Sequence, residues 1–71
     1  MLDAAFMIAG AAGAFFLAGA FVQGDGAMAL LGAIPTAIAA VIGVFSNAAI
    51  SVNSWFIIVV AGAIGWWLFD G

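Results

Sequence analysis

Three carboxylates, Asp3, Asp25 and Asp70, are the only ionisable side chains in a chain of 71 residues that has no Lys, Arg, His, Cys, Glu or Tyr. Acid–base chemistry or cation binding by carboxylates needs them in pairs, and these three are far apart in sequence. A single carboxylate can still carry protons when it sits near the middle of a membrane helix, where an ionisable group is costly and therefore functional by default. Asp3 and Asp70 lie instead towards the two ends, and Asp25 lies between glycines in the stretch Gln23-Gly24-Asp25-Gly26. Solvated helix ends account for all three, and Asp3 and Asp25 also sit where a helix N-terminus favours negative charge.

The rest of the chemistry is thin. Nucleophilic catalysis and metal binding draw on Cys, His, Lys and Tyr, none of which is present, so the sequence predicts no enzyme, no catalytic residue and no metal. Without Cys there is no disulfide from which to read a redox compartment. Without a cation there is no counterion release on nucleic-acid phosphate, so side-chain binding of DNA is disfavoured. Gly10-x-x-Gly13 and Gly62-x-x-Gly65 are not phosphate cradles, because neither opens a helix from a loop nor carries a Lys. Helix packing explains both.

With 70% hydrophobic and 4% charged residues, the chain lacks the polar set that a small soluble domain needs to cover its surface. It must sit in lipid or among neighbours that cover it. Polar residues divide it into three apolar segments, Ala4 to Val22, Ala27 to Phe45 and Trp55 to Phe69, within one unit spanning residues 1–71. As helices they would be roughly 29, 29 and 23 Å long against a hydrocarbon core of about 30 Å, so the third is short. Strands are excluded by the absence of period-2 alternation and by the abundance of Ala, the best helix former. The predicted fold class is all-α: a small hydrophobic helical hairpin of two to three membrane-type helices.

Two breaks separate the segments. At Gln23-Gly24-Asp25-Gly26 a glycine can end one helix and Asp25 can cap the next. From Ser46 to Ser54 five polar uncharged side chains occur: Ser46, Asn47, Ser51, Asn53 and Ser54. Asn53 or Ser54 is the expected N-cap of the third segment. Pro35, inside the second segment, is expected to kink that helix without ending it.

Every segment carries small residues at helical spacing. The second has Ala29, Ala33, Thr36, Ala40 and Gly43; the first has Ala5, Ala9, Ala12 and Gly13; the third has Ala61, Gly62 and Gly65. Such stripes let backbones approach closely, which drives helix association where lipid removes the hydrophobic drive. Trp55, Trp66 and Trp67 stand at the two ends of the third segment, the usual position of interfacial or lipid-contacting Trp. The missing Lys and Arg remove the normal signal for membrane orientation. The start Met1-Leu2-Asp3-Ala4-Ala5 has an acid where a secretory signal has its positive region, so the chain reads as mature from Met1.

In length, Gly and Ala richness, apolar helices and the short polar connector Ser46 to Ser54, the chain resembles the conjugative pilins of type IV secretion systems, including those of archaeal DNA-import pili. Bacterial members usually carry Lys or Arg in or near the connector; this chain has none, which fits an archaeal member better, or a different assembly altogether. The resemblance implies a subunit that waits in the membrane and then polymerises, with phospholipid, into a hollow extracellular filament for DNA transfer or import. It implies a connector, Ser46, Asn47, Ser51, Asn53 and Ser54, that lines the bore, and helix faces that hold lipid. The implied partners are many copies of itself, membrane lipid, a secretion or import machinery, and DNA as cargo. Two alternatives fit the same pattern: a major coat protein of a lipid-containing archaeal virus, and a small accessory subunit of a membrane complex.

Overall fold

The computed structural model describes residues 2–46 and 52–70, which form three helices: α1 (Leu2–Gln23), α2 (Gly26–Ser46) and α3 (Val52–Asp70). No strand occurs among the described residues, so the all-α expectation holds. All three helices are long and apolar enough to cross a membrane. The third is longer than its apolar segment: it begins at Val52 and has 19 residues, about 28 Å. Asn53 and Ser54 therefore lie in its first turn and do not cap it, which corrects both the expected boundary and the expected short third helix. α2 runs unbroken through Pro35, as expected of a helix whose neighbours tolerate one missing backbone bond.

The link between α1 and α2 is as short as backbone chemistry allows. Gly24 has φ of 66°, the left-handed conformation that glycine adopts without a Cβ penalty. The Asp25 N–H donates to the Ala20 carbonyl at 3.1 Å, the six-to-one bond of a Schellman ending. Asp25 then caps the next helix, its Oδ1 accepting from the Ala27 N–H at 3.0 Å and the Met28 N–H at 3.3 Å. The Asp25 carbonyl accepts the first helical bond of α2, from the Ala29 N–H at 3.1 Å. One residue thus satisfies orphan groups at two helix ends.

Neighbouring residues fix the helix directions. Gly10 lies by Ala39, Gly13 by Thr36 and Gly19 by Met28, so α2 returns antiparallel to α1. Gly10 lies by Ile58, Ala14 by Gly62 and Gly19 by Phe69, so α3 runs parallel to α1. Both outer helices pack on α1, and no Cα of α2 comes within 8 Å of one in α3. The described chain extends over 34 × 20 × 14 Å. With helices about 10–12 Å in diameter, 14 Å leaves room for little more than a single layer, with α1 in the middle.

Little is buried in such a layer. Phe6 (3% exposed), Ala20 and Ala39 are the buried hydrophobic side chains, and Ala9, Ile42 and Ile58 pack around the Phe6–Ala39 pair. Most large apolar side chains of α2 and α3 face outward, with Phe45 at 85% exposed the extreme.

The turn makes a direct prediction. Gly24→Ala has open space for its methyl group, so its whole effect is the φ penalty, a loss of about 1–2 kcal/mol. Asp25→Ala is expected to lose about 1 kcal/mol through the cap. Equilibrium unfolding in detergent micelles, followed by circular dichroism, measures both.

Candidate functional site

The features that the structure describes in most detail are the faces on which the helices meet. Among the described residues no group of His, Cys, Asp and Glu is placed to hold a metal. Asp25 and Asp70 are exposed at helix ends.

The α1–α2 face is a contact between backbones. A Cβ added at Gly32 would lie 2.8 Å from the Leu17 nitrogen and 3.0 Å from the Gly13 carbonyl oxygen. One added at Gly13 would lie 3.1 Å from the Gly32 carbonyl oxygen and would collide with the Thr36 hydroxyl. These separations are shorter than van der Waals contact, so the two glycines are what let the helices meet. The Thr36 hydroxyl donates to the Gly32 carbonyl at 2.7 Å, which satisfies it inside its own helix.

The α1–α3 face combines one backbone contact with aromatic pairs. A Cβ at Gly65 would stand 2.7 Å from the Phe15 carbonyl oxygen. Rings of the two helices meet three times: Phe6 with Trp55 at 5.7 Å, Phe15 with Phe69 at 5.3 Å, and Phe21 with Trp66 at 5.4 Å between centroids. Such pairs contribute about 0.5–1.5 kcal/mol each beyond burial.

The residues expected to pack helices fall into three groups. Gly13, Gly43 and Gly65 are buried within the chain, and Thr36 touches the α1 backbone beside Gly13. Gly62 faces α1 at ordinary distance, its added Cβ 3.5 Å from that of Ala14. Ala33 and Ala40 are exposed and take no part in the closest α1–α2 approach. The buried face of α2 is Gly32, Ala39 and Gly43, largely one position off the Ala29–Ala33–Thr36–Ala40–Gly43 stripe. On α1 the close contact at Gly19 was not expected from the sequence, whereas Gly10 belongs to the Gly10-x-x-Gly13 pair assigned to helix packing.

The connector reading changes more. Asn53 is exposed in the first turn of α3, but Ser54 is 1% exposed, the most buried side chain described. Ser54 is thus turned into the chain and does not line a bore in this conformation, because the added turn of helix rotates it inward. The Ser46 hydroxyl donates to the Ile42 carbonyl at the end of α2. Asn47 and Ser51 lie outside the described residues. Of the three tryptophans, Trp55 and Trp66 are half-exposed against α1 rings, and Trp67 is 74% exposed. α3 thus carries aromatic side chains at both ends, the arrangement expected for a membrane-crossing helix.

The glycine contacts rank two substitutions. Gly65→Ala is expected to destabilise by about 1–3 kcal/mol because the methyl group meets backbone, whereas Gly62→Ala should be near neutral. A charge tests the connector in the same way: Asn53→Lys should be tolerated, while Ser54→Lys should prevent folding of α3 on α1 by burying an unpaired ammonium. Unfolding midpoints in detergent compare all four. Comparison with protein-family models, curated proteins and solved structures finds no match.

Proposed function

We propose that this chain is the structural subunit of a lipid-containing helical pilus, extruded from the membrane and used for DNA transfer or import. The observation that carries the reading is the single layer of helices: apolar side chains are exposed on both outer helices, and only neighbours or lipid can cover them. The absence of Lys and Arg supports a bore that does not trap a polyanion by ion pairing. With Ser54 turned inward, the proposed polar lining is Ser46, Asn47, Ser51 and Asn53, of which Asn53 is exposed on α3.

Exposed small residues are the natural contact between subunits, and Ala33 is one that the fold itself does not use. Packing by close approach predicts that Ala33→Leu leaves monomer unfolding unchanged and abolishes polymerisation. Negative-stain microscopy of purified material tests the assembly. Thin hollow filaments carrying phospholipid are expected. Spindle-shaped or closed particles would instead make the chain a virion coat protein, and a single copy within a larger complex would make it an accessory subunit.

A further inference from the structure

The backbones of α2 and α3 stay apart, yet side chains bridge the two helices above α1 at both ends. Near one end Ile58 packs by Gly10 against the Phe6–Ala39 pair, a wholly hydrocarbon contact. Near the other, the Met28 sulfur of α2 and the Phe69 ring of α3 meet over Gly19. A Cβ at Gly19 would lie 2.7 Å from that sulfur and 2.6 and 2.7 Å from the ring carbons Cδ2 and Cε2. Twice 2.7 Å bounds the separation, so sulfur and ring edge are at most about 5.4 Å apart, the range of a favourable thioether–aromatic contact. Phe69 packs in turn on Phe15 of α1, with 5.3 Å between centroids. Met28 is only half-buried, and it stands in the first turn of α2 with its N–H bonded to the exposed Asp25 carboxylate.

We propose that Met28 is an oxidation site, at which a peroxide converts the thioether to the sulfoxide and so loosens α3 from α2. The step balances: the O–O bond breaks, one oxygen bonds to the sulfur, which gives up two electrons, and the other oxygen leaves in water. Gly19 couples this chemistry to the fold. The space that sulfur and ring share over it does not admit even a methyl group, so the new oxygen has no room towards α1. The sulfoxide oxygen is a strong acceptor, and the Phe69 side chain offers it no N–H or O–H, whereas the solvent around Asp25 does. The oxidised side chain therefore turns outward, and Phe69 loses its contact with α2. The Ile58 bridge contains no sulfur, so the Trp55 end of α3 stays seated while the Asp70 end loosens. The proposal concerns the single chain and stands independently of polymerisation.

The test treats the full chain, as a monomer in detergent micelles, with hydrogen peroxide, and locates sulfoxide by fragmenting the intact chain in a mass spectrometer. Amide hydrogen exchange then follows the two ends of α3. Sulfoxide is expected at Met28, with exchange over Ile64 to Phe69 faster by about tenfold and exchange over Trp55 to Ile58 unchanged. Met28→Leu, which keeps the volume and removes the sulfur, should exchange like the untreated wild-type chain before and after peroxide. Met7, half-buried towards the opposite end of α1, is the internal comparison. Exchange that stays the same once Met28 is oxidised would overturn the proposal. So would the same acceleration in peroxide-treated Met28→Leu, or a Met28 that stays reduced at peroxide doses that oxidise Met7.

Discussion

The structure depends on the distance at which α1 meets its two neighbours. In lipid, two apolar helices gain almost nothing by hiding apolar surface from each other, so association rests on dispersion between well-fitted surfaces. Dispersion falls off within an ångström, which makes the absence of a side chain more valuable than its presence. Gly13 against Gly32, and Gly65 against the Phe15 backbone, supply that absence on the two sides of α1. The remainder of the fold follows: a middle helix with glycine at both contacts, flanked by helices that keep their bulk for the outside.

The two interfaces reach the same end by different means. α2 is held by backbone contact and by a short turn, Gly24 and Asp25, whose groups are hydrogen-bonded to both helices. α3 returns after a longer connection and is held by ring pairs distributed along its length, from Trp55 to Phe69. Ring pairs tolerate small displacements that a glycine contact does not. α3 combines those ring pairs with one backbone contact of its own, Gly65 against Phe15.

What the sequence revealed, and what it concealed, follow from the range of the physics involved. The Gln23–Gly26 turn was legible because positive φ and helix capping are local and depend on residue type alone. Apolar helices, two to three of them, were legible because segments this apolar and Ala-rich, without period-2 alternation, favour helix. The face that each helix presents was not, because α1 and α3 are apolar all round and no polar side marks the outside. Gly32–Ala39 and Ala33–Ala40 are adjacent stripes of similar residues, and only the meeting of Gly32 with Gly13 selects the first. Ser54 illustrates the same blindness: a hydroxyl in a polar stretch reads as solvent-facing, yet the helix begins before it and turns it inward. One signal was available, since the glycines of Gly10-x-x-Gly13 recur on α1 at Gly19, and Gly32 is the glycine near the middle of α2.

The parallel course of α1 and α3 also distributes charge. Asp25, in the turn after α1, and Asp70, at the end of α3, share one end of the layer, while Asp3 stands in the first turn of α1 at the other. Moving an elementary charge across 100 mV is worth about 2.3 kcal/mol. Across a membrane potential, an orientation that puts the two-carboxylate end on the positive side is therefore favoured over the reverse by the difference of one charge.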